Sequence, residues 1–198
     1  MSRKGYLLVL MHPPMALEEE FNAWYDTEHV PDRLAIPGFE SGTRFHSLAG
    51  GAPRYLAFYD LASAAVIESP EYLRVSFDQA TPWTKRITAR ARVQRFTGEQ
   101  IYSSGSQATR PARLLLLRFR GLKAGDADAI VTAMRASFGM RPEVRRVRVL
   151  AHDAGLPAPT SSAWWTRAHR CPSSSIPRPS AFWPMRSTWS APTRLSDP

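Results

Sequence analysis

From residue 6 onward the hydrophobic period switches from strand to helix and back, and near residue 113 the progression begins again. Residues 6–12 read Tyr-Leu-Leu-Val-Leu-Met-His, an apolar strand ended by Pro13-Pro14. From Ala16 the spacing becomes helical. Leu17, Phe21, Trp24 and Glu28 fall on one stripe, with Tyr25 and His29 beside it. Glu18, Glu19 and Glu20 sit where the helix dipole favours negative charge. Pro31 disturbs this helix and Pro37-Gly38 stops it. Residues 39–47 then alternate, with Phe39, Ser41, Thr43 and Phe45 on one face and Glu40, Arg44 and His46 on the other. Gly50-Gly51-Ala52-Pro53 is a turn, and residues 54–61 read as a third strand. A second helical region spans 62–77, broken at Ser69-Pro70. Thr81-Pro82-Trp83-Thr84 reads as a loop, and residues 88–102 alternate as a fourth strand.

The order β-α-β-β-α-β predicts an α+β, ferredoxin-like module over residues 1–105, with two helices on one face of an antiparallel sheet. The sheet's other face needs a separate cover. A partial second copy is expected over 112–150. Residues 113–119 are a strand, 126–139 carry Ile130, Met134 and Phe138 at spacing four, and 142–150 alternate through Val144, Val147 and Val149. Residues 151–198 break the pattern. They hold 8 Pro, 9 Ser and 4 of the 6 Trp, and no Lys, Glu, Val, Tyr, Asn or Gln. A Pro/Ser-rich tail without native fold accounts for the Pro and Ser but not for Trp164, Trp165, Trp183 and Trp189. A changed reading frame near residues 151–163 accounts for both. Read one frame over, the codons of Phe182 to Ser190 permit Leu-Ala-Tyr-Glu-Val-Asp-Val-Glu, which is close to Leu56-Ala57-Phe58-Tyr59-Asp60-Leu61.

Composition narrows the function classes. The single Cys171 excludes an intrachain disulfide framework and a Cys-based zinc cage. The longest apolar runs are strand-sized, well short of the roughly 20 residues of a membrane helix, so a cytoplasmic protein without a membrane partner is expected. The charge of +9 comes from 26 Lys+Arg against 17 Asp+Glu, and only Lys4, Lys85 and Lys123 are lysines. Arg90, Arg92 and Gln94 read as a solvated strand edge without interleaved exposed aromatics, so a nucleic-acid partner is not expected. Gly50-Gly51 lacks the Lys-Ser/Thr of a phosphate loop, and no Gly-x-Ser-x-Gly elbow occurs. His12, His29 and His46 lack metal-ligand spacing; neither a metal nor another cofactor is expected.

The run Phe21-Asn22-Ala23-Trp24-Tyr25-Asp26-Thr27-Glu28-His29-Val30-Pro31, followed by Pro37-Gly38-Phe39, resembles the signature of the EthD-like branch of the dimeric α/β-barrel superfamily. Tyr55 to Asp60, Ser69-Pro70-Glu71-Tyr72 and Thr81-Pro82-Trp83-Thr84 resemble the same branch. The resemblance spans about residues 5–100; over 112–150 it rests on pattern alone. It implies two ferredoxin-like sheets face to face, within one chain as an intramolecular pseudo-dimer or between two chains as a homodimer. It also implies a cleft beside the barrel for a small aromatic or polyketide-like ligand.

His29 lies four residues after Tyr25 and three after Asp26, so a helix makes the three neighbours. An imidazole oriented by a carboxylate is a general base near neutral pH. The structural alternative is a helix-end cap before Pro31. Arg44 and His46 share a strand face, and His12 ends the first strand; with Tyr55 or Tyr59 nearby they suit an enolate or phenolate. Equally, they are ordinary strand-end residues. Trp24, Trp83, Phe45 and Phe58 line either an aromatic pocket or the core. Two functions remain: a cofactor-independent enzyme using His29 acid/base chemistry, or a non-catalytic ligand-binding or dimerisation protein.

Overall fold

The computed structural model describes residues 3–105, 111–123 and 125–152, together with the backbone alone of 162–165 and 181–190. The strands are β1 (Gly5–His12), β2 (Phe39–Ser47), β3 (Tyr55–Leu61), β4 (Arg92–Ser103), β5 (Arg113–Arg118), β6 (Arg148–His152), β7 (Ser162–Trp165) and β8 (Ala181–Ser190). They close into an antiparallel barrel in the order β1-β3-β2-β8-β5-β7-β6-β4. Two pairings join the halves of the chain, β2 with β8 and β4 with β6.

Closure explains why β1 reads as one apolar run. Both of its faces are covered, so alternation between polar and apolar residues disappears. Tyr6, Leu8 and Leu10 enter the barrel interior with Phe45, Leu56, Phe58, Phe96, Leu114, Leu116 and Leu150. Leu7, Val9 and Met11 point the other way, into a core shared with Phe21, Trp24, Tyr25, Tyr59 and Tyr72. Gly5 permits a crossing there, since a Cβ would lie 2.3 Å from the Ser63 carbonyl carbon. Helix α5 (Asp126–Phe138) covers the second half and buries Ile130, Met134 and Phe138, as their spacing predicts.

The first half carries α1 (Glu18–Trp24), a π-helical turn (Tyr25–His29), α2 (Val30–Ala35), the short α3 (Pro70–Leu73) and α4 (Pro82–Arg90). The main local departure from the sequence reading is α4. Residues 81–84 begin a helix rather than form a loop. Thr81 is its N-cap, with Oγ1 accepting from the Thr84 N–H, and Pro82 takes the first helical position, where no N–H is needed. Residues 62–80 hold mostly 3-10 turns around α3. In β2 the register shifts between Phe39 and Ser41. That irregularity sends Phe39 to the helix side and Phe45 into the barrel, although the two share parity.

Backbone from 151–198 enters the barrel as β7 and β8. The expectation of a changed frame near 151–163, and Cys171, fall mainly on residues outside those described. No helix among the described residues is long and apolar enough to cross a membrane.

Candidate functional site between the helices and the sheet

Pro31 shapes the site from within the chain. It offers no N–H to the Thr27 carbonyl, and its ring crowds that position. The helix widens just before it, and the Val30 N–H reaches back five residues to the Tyr25 carbonyl. Such π turns often accompany functional positions. The turn sets Tyr25 and His29 against the sheet, with ring centroids 5.1 Å apart.

Arg44, on the helix-facing side of β2, is 2% exposed. Its guanidinium donates to Asp26 Oδ1 at 2.5 Å and to Asn22 Oδ1 at 2.7 Å, and it lies 4.3 Å from the Tyr25 ring centroid. Asn22 Nδ2 donates to the Tyr55 hydroxyl at 3.2 Å, which donates to Glu18 Oε1 at 2.6 Å. Glu18 is also paired with Arg54 at 2.9 Å. A continuous polar chain thus ties β2 and β3 to α1. Replacing Arg44 by Met removes two charge-assisted bonds, while Asp26 still reaches solvent. The expected loss is about 1.5–3 kcal/mol in urea unfolding.

His29 takes a different environment. Asp26 serves Arg44, so it does not orient the imidazole. The ring lies 4.3 Å from Trp24, and neither nitrogen forms a hydrogen bond among the described residues. Burial, then the positive charges of Arg33, Arg44 and Arg95, push its pKa well below 6.5. The folded ring is therefore neutral where the unfolded ring would protonate. The resulting stability is complete above 6.5 and is lost as pH falls below it, because only the unfolded chain then takes up the proton. The wild-type Tm is expected to fall between about pH 7.5 and about pH 5 by more than that of His29→Gln, measured by thermal denaturation.

Arg33 and Arg95 were not marked by any sequence motif. Arg33 is 6% exposed, donates to the Val75 carbonyl at 3.1 Å and lies 4.9 Å from the Tyr72 ring. Arg95 donates to the Tyr72 hydroxyl and lies 5.0 Å from the Phe77 ring. A signal for Arg33 existed: Phe21, Tyr25, His29 and Arg33 recur every four residues. Tyr59 faces the same side, above Gly42, where a Cβ would come within 3.1 Å of its ring. The Tyr59 hydroxyl and Ser76 Oγ are buried without hydrogen-bond partners among the described residues. Burial raises the Tyr59 pKa well above 10, so it remains a hydroxyl donor.

The remaining predicted residues divide between faces. His46 lies beside Arg44 and meets the Tyr55 ring edge at 5.2 Å. His12 shares the barrel-interior face of β1 with Tyr6, Leu8 and Leu10, and β3 separates its strand from β2. It does not join Arg44 and His46. Trp24 is fully buried, with Nε1 donating to Thr84 Oγ1 at 3.0 Å. Trp83 packs at the edge of the same core and donates to Glu20 Oε1 at 3.0 Å. Among the described residues, no group of three or more His, Cys, Asp or Glu is placed to hold a metal ion.

Solved structures with this arrangement exist. An anthrone oxidase-like protein superposes with a TM-score of 0.64 at 10% identity, covering 96% of this chain and 93% of that one. A "putative monooxygenase" from Lactobacillus acidophilus gives 0.55 at 12% identity, covering 83% and 76%. A "putative monooxygenase" from Fusobacterium nucleatum gives 0.56 at 4% identity, with the same coverages. The fold is of the dimeric α/β-barrel type. No protein-family model and no curated protein matches the chain. At these identities the dimeric α/β-barrel likeness concerns architecture, and the chemistry has to be argued from the residues.

Proposed function

We propose that the chain is an EthD-like enzyme that removes a proton from a small aromatic or polyketide-like ketone or phenol, with His29 as general base and no cofactor. The observation that carries the reading is an imidazole whose ring nitrogens have no hydrogen-bond partner among the described residues, near Arg33, Arg44 and Arg95; burial and then those charges push its pKa down, which favours the neutral ring. The base takes a proton from an acidic C–H, the C–H electron pair moves to the adjacent carbonyl oxygen, and an enolate forms. Cationic groups nearby stabilise that developing charge, and the unpartnered Tyr59 and Ser76 hydroxyls are available to donate to the oxygen. Trp24 and Tyr25 supply apolar walls, Arg44 with Asp26 fixes the Tyr25 ring, and His46 extends the polar edge.

The chain is further proposed to be a cytoplasmic, intramolecular pseudo-dimer, with one unit over 1–105 and the second beginning at 112–150. Its support is that β8-β5-β7-β6 repeats the order β4-β1-β3-β2.

The test uses anthrone, the compound named in one structural neighbour. Under anaerobic conditions in D2O, exchange of its methylene hydrogens is followed by NMR. Exchange faster than in buffer, and slowed in His29→Gln, is expected. Exchange at the buffer rate for anthrone and for a set of related phenolic ketones contradicts the reading.

A further inference from the structure

Arg33, in the last turn of α2, is a buried charge with no anion beside it among the described residues. A guanidinium carries five N–H donors. This one makes a single hydrogen bond among the described residues, from Nη1 to the Val75 carbonyl at 3.1 Å, and lies 4.9 Å from the Tyr72 ring. No described carboxylate is within ion-pair distance of it. Asp26 pairs with Arg44, and Glu28 accepts from Thr81 and Thr84. Asp32, next in the chain, has its pKa raised by burial and by Glu28 against the opposing charge of Arg33, the reverse of what an ion pair does. A carbonyl, a ring face and the end of a six-residue helix offer only partial charges. Buried guanidinium groups are ordinarily matched by a full one.

A second observation points to the same place. The bond to Val75 brings the guanidinium to the residue before Ser76, whose Oγ is buried without a partner on a residue only 3% exposed. Phe77 follows with φ +52, a left-handed conformation that a bulky side chain keeps only where its surroundings hold it. The chain turns there, so Ser76 stays inside while the Phe77 ring stands exposed, 5.0 Å from the Arg95 guanidinium. Arg95 donates to the Tyr72 hydroxyl and, like Arg33, has no carboxylate partner among the described residues. Two like charges therefore lie against one ring, at 4.9 and 5.8 Å from its centroid, an arrangement that a bound anion relieves. Both charges also act on His29, so this polar corner adjoins the proposed base.

We propose that the substrate of the His29 site is an aromatic keto acid, whose carboxylate accepts from Arg33 and from the Ser76 hydroxyl on the side towards Arg95, leaving the Tyr59 hydroxyl to the enolate oxygen. The inference rests on the assignment of proton removal to His29 and names the substrate class of that site. The full chain is titrated by calorimetry at neutral pH with 3- and 4-acetylbenzoate, each against its neutral amide, and exchange of the acetyl hydrogens in D2O is followed by NMR. At least one acid is expected to bind about tenfold or more tighter than its amide. Arg33→Gln is expected to bring that ratio to within about twofold of unity, and Ser76→Ala to lower it about threefold or more, since a charged acceptor loses more than a neutral one when a donor goes. Equal affinities for acid and amide, no saturable binding of either acid, or an undiminished preference in Arg33→Gln overturns the proposal. Should Arg33→Gln not fold, Ser76→Ala decides, and an undiminished preference there overturns it equally. Preference for the acid without accelerated exchange would keep the anion site and remove the base role of His29; accelerated exchange with equal affinities would do the reverse.

Discussion

His29→Gln is expected to lower kcat for anthrone proton exchange by about 10²–10⁴-fold, with KM changed only a few-fold. Gln keeps polar atoms at the site but has no basic ring nitrogen to take the proton. Arg33, Arg44 and Arg95 remain, so binding of an electron-rich oxygen persists. A loss confined to kcat therefore separates base catalysis from ligand binding. Equal exchange rates in the variant and the wild type would assign His29 to packing beside Trp24 and Tyr25 alone.

Trp24→Ala is expected to cost about 3–5 kcal/mol in urea unfolding. The indole is fully buried, lies against His29 and Tyr25, and bonds across to Thr84 on α4. Its removal leaves a cavity in the junction of two helices and takes one hydrogen bond from Thr84, whose hydroxyl still donates to Glu28 Oε1. Against a total stability of typically about 5–15 kcal/mol, the loss is large enough to populate the unfolded chain on mild warming. A cost below about 1 kcal/mol would mean that the helix does not pack on the sheet as described.

What the sequence revealed followed how local each cause is. Residues Tyr6–Met11 announce a strand covered on both faces, and the spacing of Phe21, Trp24, Tyr25 and His29 announces the helix over it. Ile130, Met134 and Phe138 do the same for the second half. Thr81-Pro82 misleads, because the residues that open a turn are also those that cap and start a helix. The shift in β2 misleads by one residue, which is enough to reverse the face of Phe39 relative to Phe45.

The site shows the same division. His29, Tyr25 and Arg44 stand out from residue type and spacing. The partner of Asp26 does not, since helical proximity points to His29, whereas the carboxylate turns to an arginine on another element. Arg33 and Arg95 are hidden for a similar reason. Their partners, the Val75 carbonyl and the Tyr72 hydroxyl, lie on segments that come together only when the helices dock on the sheet.

The proposed chemistry depends on His29 staying neutral on the π-helical turn, near the guanidinium groups of Arg33, Arg44 and Arg95. Imidazole titration by NMR, with His29 assigned through His29→Gln, measures this directly. The expected result is a neutral ring that begins to protonate only well below pH 6.5. Protonation at or above pH 6.5 would place the ring in water or beside a carboxylate, and would contradict the account.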